Sequence, residues 1–322
     1  MSRYWTTLDD LYAEQLLTST PEIEKVATEF QIKVSPTMQS QLAIADDSGS
    51  AALLRQFVPS ALEANILPSE LDDPIGDRRF TPVAGVVHRY EDRALLKITQ
   101  LCEVYCRFCF RKEMIGQKGE MLSQADIAGA MAYFRSHTEL WEVILTGGDP
   151  LVLSARRLKA VLDELVDIAH IKSIRIHTRI PVISPEKITP ELLDLFESVV
   201  DRGKALTIVL HANHASEFSV EARAALLQLR KRGVLLISQS VLLKGVNDSL
   251  PALTDLMRTL VEHGVKPYYL HQMDLARGTS HFVVDNERGI ALVKALRENV
   301  SGICVPRLII EIPEGEGKRV LA

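Results

Sequence analysis

Three cysteines stand close together in the run Cys102-Glu103-Val104-Tyr105-Cys106-Arg107-Phe108-Cys109. Thiolates are soft ligands that suit iron–sulfur clusters and zinc. A structural zinc takes four ligands, and the remaining cysteine, Cys304, lies far along the chain beside an apolar run. Three thiolates on a four-iron cluster leave one iron open to a substrate or cofactor. Two other readings stand beside this one: a zinc completed by His88 or His177, and three cysteines on a buried helix face. Cys304 reads as a small buried hydrophobe.

A second candidate is Thr146-Gly147-Gly148-Asp149-Pro150. Two glycines remove the Cβ atoms that would keep a ligand off the backbone, and Asp149 supplies a carboxylate. The same residues are common in ordinary turns between a strand and a helix. A third is Lys318, at the end of Pro313-Glu314-Gly315-Glu316-Gly317-Lys318. It is not a phosphate-binding P-loop, because Arg319 stands where that motif needs Ser or Thr. Without other information it reads as a charged tail.

The elements that must position these residues follow from the apolar pattern. Residues 1–80 read as a helical and loop-rich extension, broken towards its end at Pro68 and Pro74. Beyond it, short apolar runs alternate with amphipathic stretches. The expected strands are 94–99, 142–146, 173–177, 206–211, 234–238 and 266–271. The expected helices are 124–136, 155–168, 190–199, 220–232, 250–262 and 287–298. Six βα units in a row predict an α/β fold with a parallel sheet. Six are too few to close an eightfold barrel, so a partial (βα)6 TIM-like barrel over 81–300 fits, and a doubly wound sheet is the alternative. Residues 301–322 form a C-terminal segment carrying Lys318. Polar or glycine-rich residues collect just after each strand: the cysteine loop, Gly147-Gly148-Asp149, Thr178-Arg179, His211 with Asn213-His214, Gln239, and Gln272 with Asp274. In parallel barrels the strand C-terminal ends form the face that carries chemistry.

Composition narrows the class. The chain has 322 residues, 47% of them hydrophobic, and a formal net charge of -5. That charge leaves no electrostatic footprint for nucleic acid or an anionic membrane. No apolar run has membrane-spanning length, and the start, Met1-Ser2-Arg3-Tyr4-Trp5, has no apolar signal core. Four cysteines, three of them clustered, are not a disulfide framework, so a cytoplasmic location is expected.

The CxxxCxxC spacing is the hallmark of the radical S-adenosylmethionine (SAM) superfamily. The stretch from His88 to Lys318 is similar to lysine 2,3-aminomutase and to the related enzymes that make β-lysine for elongation factor P. The segments that carry the resemblance are 88–93, the cysteine loop 102–111, Gly147 to Pro150, Arg179-Ile180-Pro181, 239–248, Pro267-Tyr268-Tyr269 and Gly315 to Lys318. The resemblance implies a four-iron, four-sulfur cluster on Cys102, Cys106 and Cys109, with SAM on its open iron and a 5′-deoxyadenosyl radical formed by reductive cleavage. It places Gly147, Gly148 and Asp149 at the methionine end of SAM. Gln239 and His211, at strand ends on the same face, are further candidates for SAM contacts. It makes Lys318 the lysine that carries pyridoxal 5′-phosphate (PLP) in a Schiff base. Arg89, Arg93 and Arg179 match the positions that hold the PLP phosphate, a group suited to Arg.

For the substrate, the resemblance gives Arg111 to the carboxylate of a bound amino acid, and Asp274 and Glu311 to the ammonium of its side chain. A pair of carboxylates selects a cationic side chain and repels an acidic one. Glu311 stands where the free-lysine enzymes carry Asp. Those enzymes also have extra cysteines and a C-terminal extension that build a zinc-linked interface. This chain ends at Ala322 without them, so the short elongation factor P type is the expected form. The implied activity is conversion of L-lysine to β-lysine. A mutase for another cationic amino acid such as arginine, or a catalytically inactive iron–sulfur protein, are the alternatives. The partners expected are an electron donor such as flavodoxin or ferredoxin, a second copy of the chain in a homo-oligomer, and a functional link to elongation factor P.

Overall fold

A capping Ser, Thr or Asp at the head of most of the amphipathic stretches decides where those helices begin. In the N-terminal extension the helices are α1 (Leu8–Ala13), α2 (Pro21–Glu29), α3 (Pro36–Ile44) and α4 (Asp47–Phe57). The side chains of Thr7, Thr20, Ser35 and Asp46 each accept a backbone N–H of the first turn. Such caps satisfy donors that have no partner inside the helix, and each contributes about 1 kcal/mol. The structure is a computed structural model, and it describes residues 3–112, 114–115, 121–312 and 317–322.

The extension is followed by β1 (Val86–Tyr90), β2 (Arg93–Thr99), α5 (Gln124–Ser136), β3 (Glu142–Gly147), α6 (Ala155–Val166) and β4 (Ser173–Thr178). The chain continues through α7 (Ile180–Ile183), α8 (Pro190–Asp201), β5 (Ala205–Leu210), α9 (Val220–Lys231), β6 (Leu235–Val241) and α10 (Leu250–Glu262). It closes with β7 (Lys266–His271), α11 (Asn286–Asn299), β8 (Arg307–Ile312) and β9 (Gly317–Val320). Ser123, Ser154, Thr189, Ser219 and Ser249 cap α5, α6, α8, α9 and α10. The six expected βα units are all present.

All nine strands join one sheet in sequence order. The strands β2 to β8 are parallel, and β1 and β9 pair antiparallel with β2 and β8 at the two edges. Three strands, β1, β8 and β9, lie outside the six expected. β8 and β9 bring the C-terminal segment 301–322 into the sheet itself. Side chains bring the two edges together: the Tyr90 hydroxyl in β1 accepts the Lys318 N–H in β9 at 3.1 Å. The sheet is therefore a partial barrel, as expected, and not a flat doubly wound sheet.

Strand alternation separates core from site. Leu96, Leu145, Ile176, Ile208, Leu236, Leu270 and Leu308 point outward into one buried apolar cluster with the covering helices. The intervening residues face inward, among them Thr146, His177, Val209, Gln239, Val241 and His271. Among the described residues no helix is long and apolar enough to cross a membrane.

Candidate active site

A cavity of about 280 Å³ opens at the C-terminal ends of the parallel strands. Its wall contains Cys102, Cys106 and Cys109, and also Arg111, Asp274, Glu311 and Lys318. The expected cysteine loop and the expected lysine thus meet in one cavity, although over 200 residues separate them.

The cysteine loop leaves β2 at Thr99, and the N-terminal extension holds it in place. Tyr105 and Arg107 donate their backbone N–H groups to the carbonyls of Lys33 and Gln56, at 2.9 and 2.8 Å. Lys33 Nζ donates to the carbonyl of Cys102 at 2.8 Å. Beneath the loop, Arg107 donates to Glu63 at 2.6 Å and Lys112 also pairs with Glu63. Glu63 is wholly buried; burial pushes its carboxyl up, but Arg107 and Lys112 outweigh that and hold it below its ordinary value. The fully buried Arg107 is thereby paired, as a buried charge must be.

Burial pushes all three thiols up, Cys109 to about 11. Thiolates at this place therefore need a positively charged group to hold them. Among the described residues no three His, Cys, Asp or Glu side chains converge to hold a single metal ion. His88 and His177 do not converge with the three thiols. His88 instead bonds the Tyr133 hydroxyl at 2.8 Å. The three thiols share one cavity wall, where a four-iron, four-sulfur cluster would find three ligands.

The two glycines are also required by packing within the chain. Gly147 has φ +117°, a value L side chains rarely adopt, and a Cβ there would collide with the Thr99 carbonyl. A Cβ at Gly148 would collide with the Leu101 carbonyl. Gly148 and Asp149 donate their N–H groups to Thr99 and Leu101 at 2.6 and 2.8 Å. The glycines serve the close approach of the β3 turn to the root of the cysteine loop. Asp149 is buried and accepts from the Thr178 hydroxyl at 2.7 Å and from the Arg179 N–H at 2.7 Å. Burial raises its carboxyl to about 6 against these bonds. His211 stacks on Phe108 with ring centres 5.6 Å apart, and burial holds its imidazole neutral. Gln239 lines the same wall.

Also lining the cavity, Glu311 joins two cations. Its Oε1 accepts from Arg89 Nη1 at 2.8 Å and its Oε2 accepts from Lys318 Nζ at 2.9 Å. Arg89 also donates to the carbonyl of Ile312 at 2.6 Å. Arg93 lies over the Tyr90 ring, 3.8 Å from its centre, and donates to Asp92. Tyr90 in turn holds the Lys318 backbone. Gly317, with φ +92°, permits that contact, because a Cβ there would collide with the Tyr90 hydroxyl. Gly315 and Glu316, the start of the expected turn, lie outside the described residues. Asp274 is half-buried near Glu311; desolvation first, and then repulsion by Glu311, raise its carboxyl to about 7 against the pull of Lys318 and Arg111. Arg111 donates to Asp77 at 2.8 Å.

Arg179 stands apart from Arg89 and Arg93. Its Nη1 donates to Cys106 Sγ at 2.8 Å, and its Nη2 donates to Gln56 and Glu217, both at 2.7 Å. The sequence reading left out His271 and gave His177 only as a possible zinc ligand. Both line the cavity, and the Nε2 of each is buried without a hydrogen-bond partner. Burial holds both neutral, His271 down to about 3. Their place at the ends of β4 and β7 was the signal available.

The model of the radical SAM superfamily matches residues 96–257. The chain is 38% identical over 264 residues to the L-lysine 2,3-aminomutase of Clostridium subterminale, a match covering 82% of this chain and 62% of that protein. It is 36% identical over 297 residues to the enzyme of the same name from Methanococcus maripaludis, covering 92% and 67%. With that of Escherichia coli it shares 38% over 260 residues, covering 81% and 75%. The solved structure of methylornithine synthase superposes with a TM-score of 0.45 at 11% identity, over 93% of this chain and 89% of that one.

Proposed function

Because the chain belongs to the radical SAM superfamily and, within it, to the L-lysine 2,3-aminomutase family, we propose that it moves the α-amino group of lysine to the β-carbon. The observation that carries this reading is a single cavity whose wall holds three thiols together with Lys318, Asp274, Glu311 and Arg111. As a member of the family it takes a four-iron, four-sulfur cluster, SAM and PLP. Cys102, Cys106 and Cys109 would hold the cluster, with Asp149, His211 and Gln239 on the SAM side. Lys318 would carry PLP, with its phosphate on Arg89 and Arg93. Together the bound groups supply a carbon radical that removes a β-hydrogen and a carbonyl carrier for the migrating nitrogen.

The chain's own residues bind, orient and exclude water. Glu311 keeps Lys318 Nζ at the cavity wall and neutralises Arg89 behind it. Asp274 presents a carboxyl poised near neutrality, and it takes the side-chain ammonium of the substrate. Glu311 adds a second negative charge to that end, and Arg111 takes the substrate carboxylate. His177 and His271, neutral and unpartnered at Nε2, offer hydrogen bonds without adding charge beside Lys318. The substrate proposed is free lysine in the cytoplasm, with the product passed to elongation factor P. The electron comes from a flavodoxin or ferredoxin, and the working form is a homo-oligomer.

The test is anaerobic reconstitution with iron, sulfide, SAM and PLP, followed by product analysis with lysine, arginine and glutamate. β-Lysine is the expected product, and borohydride is expected to fix PLP on the peptide containing Lys318. A protein that holds its cluster and PLP yet converts no cationic amino acid overturns the proposal.

A further inference from the structure

Arg179 lies just beyond β4 and is 5% exposed. Its guanidinium carbon sits over the rings of Phe57 and Phe108, at 4.6 and 5.5 Å from their centres. One edge donates to Cys106 Sγ and the other to Gln56 and Glu217. Glu217 is itself wholly buried and accepts the N–H groups of Asn213 and His214 at 2.7 and 2.9 Å. Asn213 Nδ2 donates to Gln56 Oε1 at 3.1 Å. Arg179 cannot turn towards Lys318 without leaving the Glu217 carboxylate buried and unpaired, which is strongly unfavourable.

We propose that Arg179 is a positioning residue for the cluster: it holds Cys106 Sγ through an N–H···S bond and makes a cluster on that thiolate easier to reduce. The inference rests on the cluster reading above. Reduction by one electron from an external donor adds negative charge to the cluster and its sulfur ligands. A buried cation donating to one of those sulfurs favours the more negative state. Hydrogen bonds to the sulfurs and burial are the levers by which a protein sets such potentials. Phe57 and Phe108 exclude water from the guanidinium, and Glu217 balances its far edge, so the N–H donated to Cys106 Sγ is what acts on the cluster. Gln56 comes from α4, Glu217 follows β5 and Arg179 follows β4. The N-terminal extension thus helps to set the cluster's chemistry.

The experiment is a redox titration with dithionite and mediators, read by the electron-spin signal of the reduced cluster alongside iron and sulfide analysis. The variants are Arg179→Gln combined with Glu217→Gln, which removes both buried charges together, and Arg179→Lys. A lysine ammonium lacks the guanidinium's two-nitrogen fork, so Arg179→Lys is expected to keep Glu217 paired while weakening the bond to sulfur. Iron and sulfide are expected to stay at the native level. At a fixed potential the ratio of reduced to oxidised cluster is expected to fall roughly tenfold, about 59 mV for one electron, in the double variant. A smaller fall in the same direction is expected in Arg179→Lys. If the double variant fails to keep iron, Arg179→Lys decides alone. Full clusters with an unmoved midpoint overturn the inference, and weakened PLP retention at that unmoved midpoint returns Arg179 to the phosphate. A native protein that takes up no cluster overturns the functional reading instead.

Discussion

Replacing Asp274 by Asn tests the substrate end of the cavity most directly. The Asp274 carboxyl is raised from 3.8 to about 7, by burial and by Glu311. That rise corresponds to roughly 4 kcal/mol against ionisation at high pH. Its contribution to stability is full below 3.8 and is lost as the pH climbs through about 7. Asn never ionises, so Asp274→Asn should melt no lower than the native protein at about pH 8, despite the loss of a buried charge. A substrate ammonium reverses the balance, because it pairs with the ionised form. Native affinity for lysine should therefore rise as the pH passes upward through about 7, with a proton released on binding. Without the charge, the ammonium loses a charge-assisted partner worth about 2–5 kcal/mol. The expected fall in kcat/KM is about 30-fold to several thousandfold, and the pH dependence should vanish with it. The assay is β-lysine formation between about pH 6 and pH 8, with melting followed in parallel. A variant that keeps the native kcat/KM, or its rise with pH, would refute the placement of the ammonium at Asp274.

Two further outcomes follow from other parts of the structure. Glu63→Gln leaves Arg107 and Lys112 buried beside a neutral amide, so a loss of about 3–5 kcal/mol is expected in denaturant unfolding; a loss under about 1 kcal/mol would mean that water reaches the pair. Gly317→Ala forces φ +92° on a residue with a Cβ and drives that Cβ into Tyr90, at a cost of about 1–3 kcal/mol; borohydride labelling of Lys318 should drop sharply while the cluster is retained, and undiminished labelling would show that Tyr90 does not position the lysine.

The sequence alone determined the parts that depend on neighbours along the chain. Strand and helix periods, capping hydroxyls and proline breaks act over a few residues, so the six βα units were legible to within a few positions. The cysteine loop was legible because its three thiols share one turn of chain. The partners of the charged side chains were not, because they are settled only when distant segments close on one another. Arg179 reads as one of three similar arginines, yet its hydrogen bonds run to Gln56, Cys106 and Glu217, which no local pattern indicates. Glu311 reads as half of a clamp, yet it meets Arg89 from the opposite edge of the sheet as well as Lys318. The glycines of the β3 turn read as room for a ligand, yet their Cβ directions point at the carbonyls of Thr99 and Leu101. β1, β8 and β9 were hidden for the same reason. Each mixes charged with apolar residues, and only pairing at the sheet's edges makes such short segments strands.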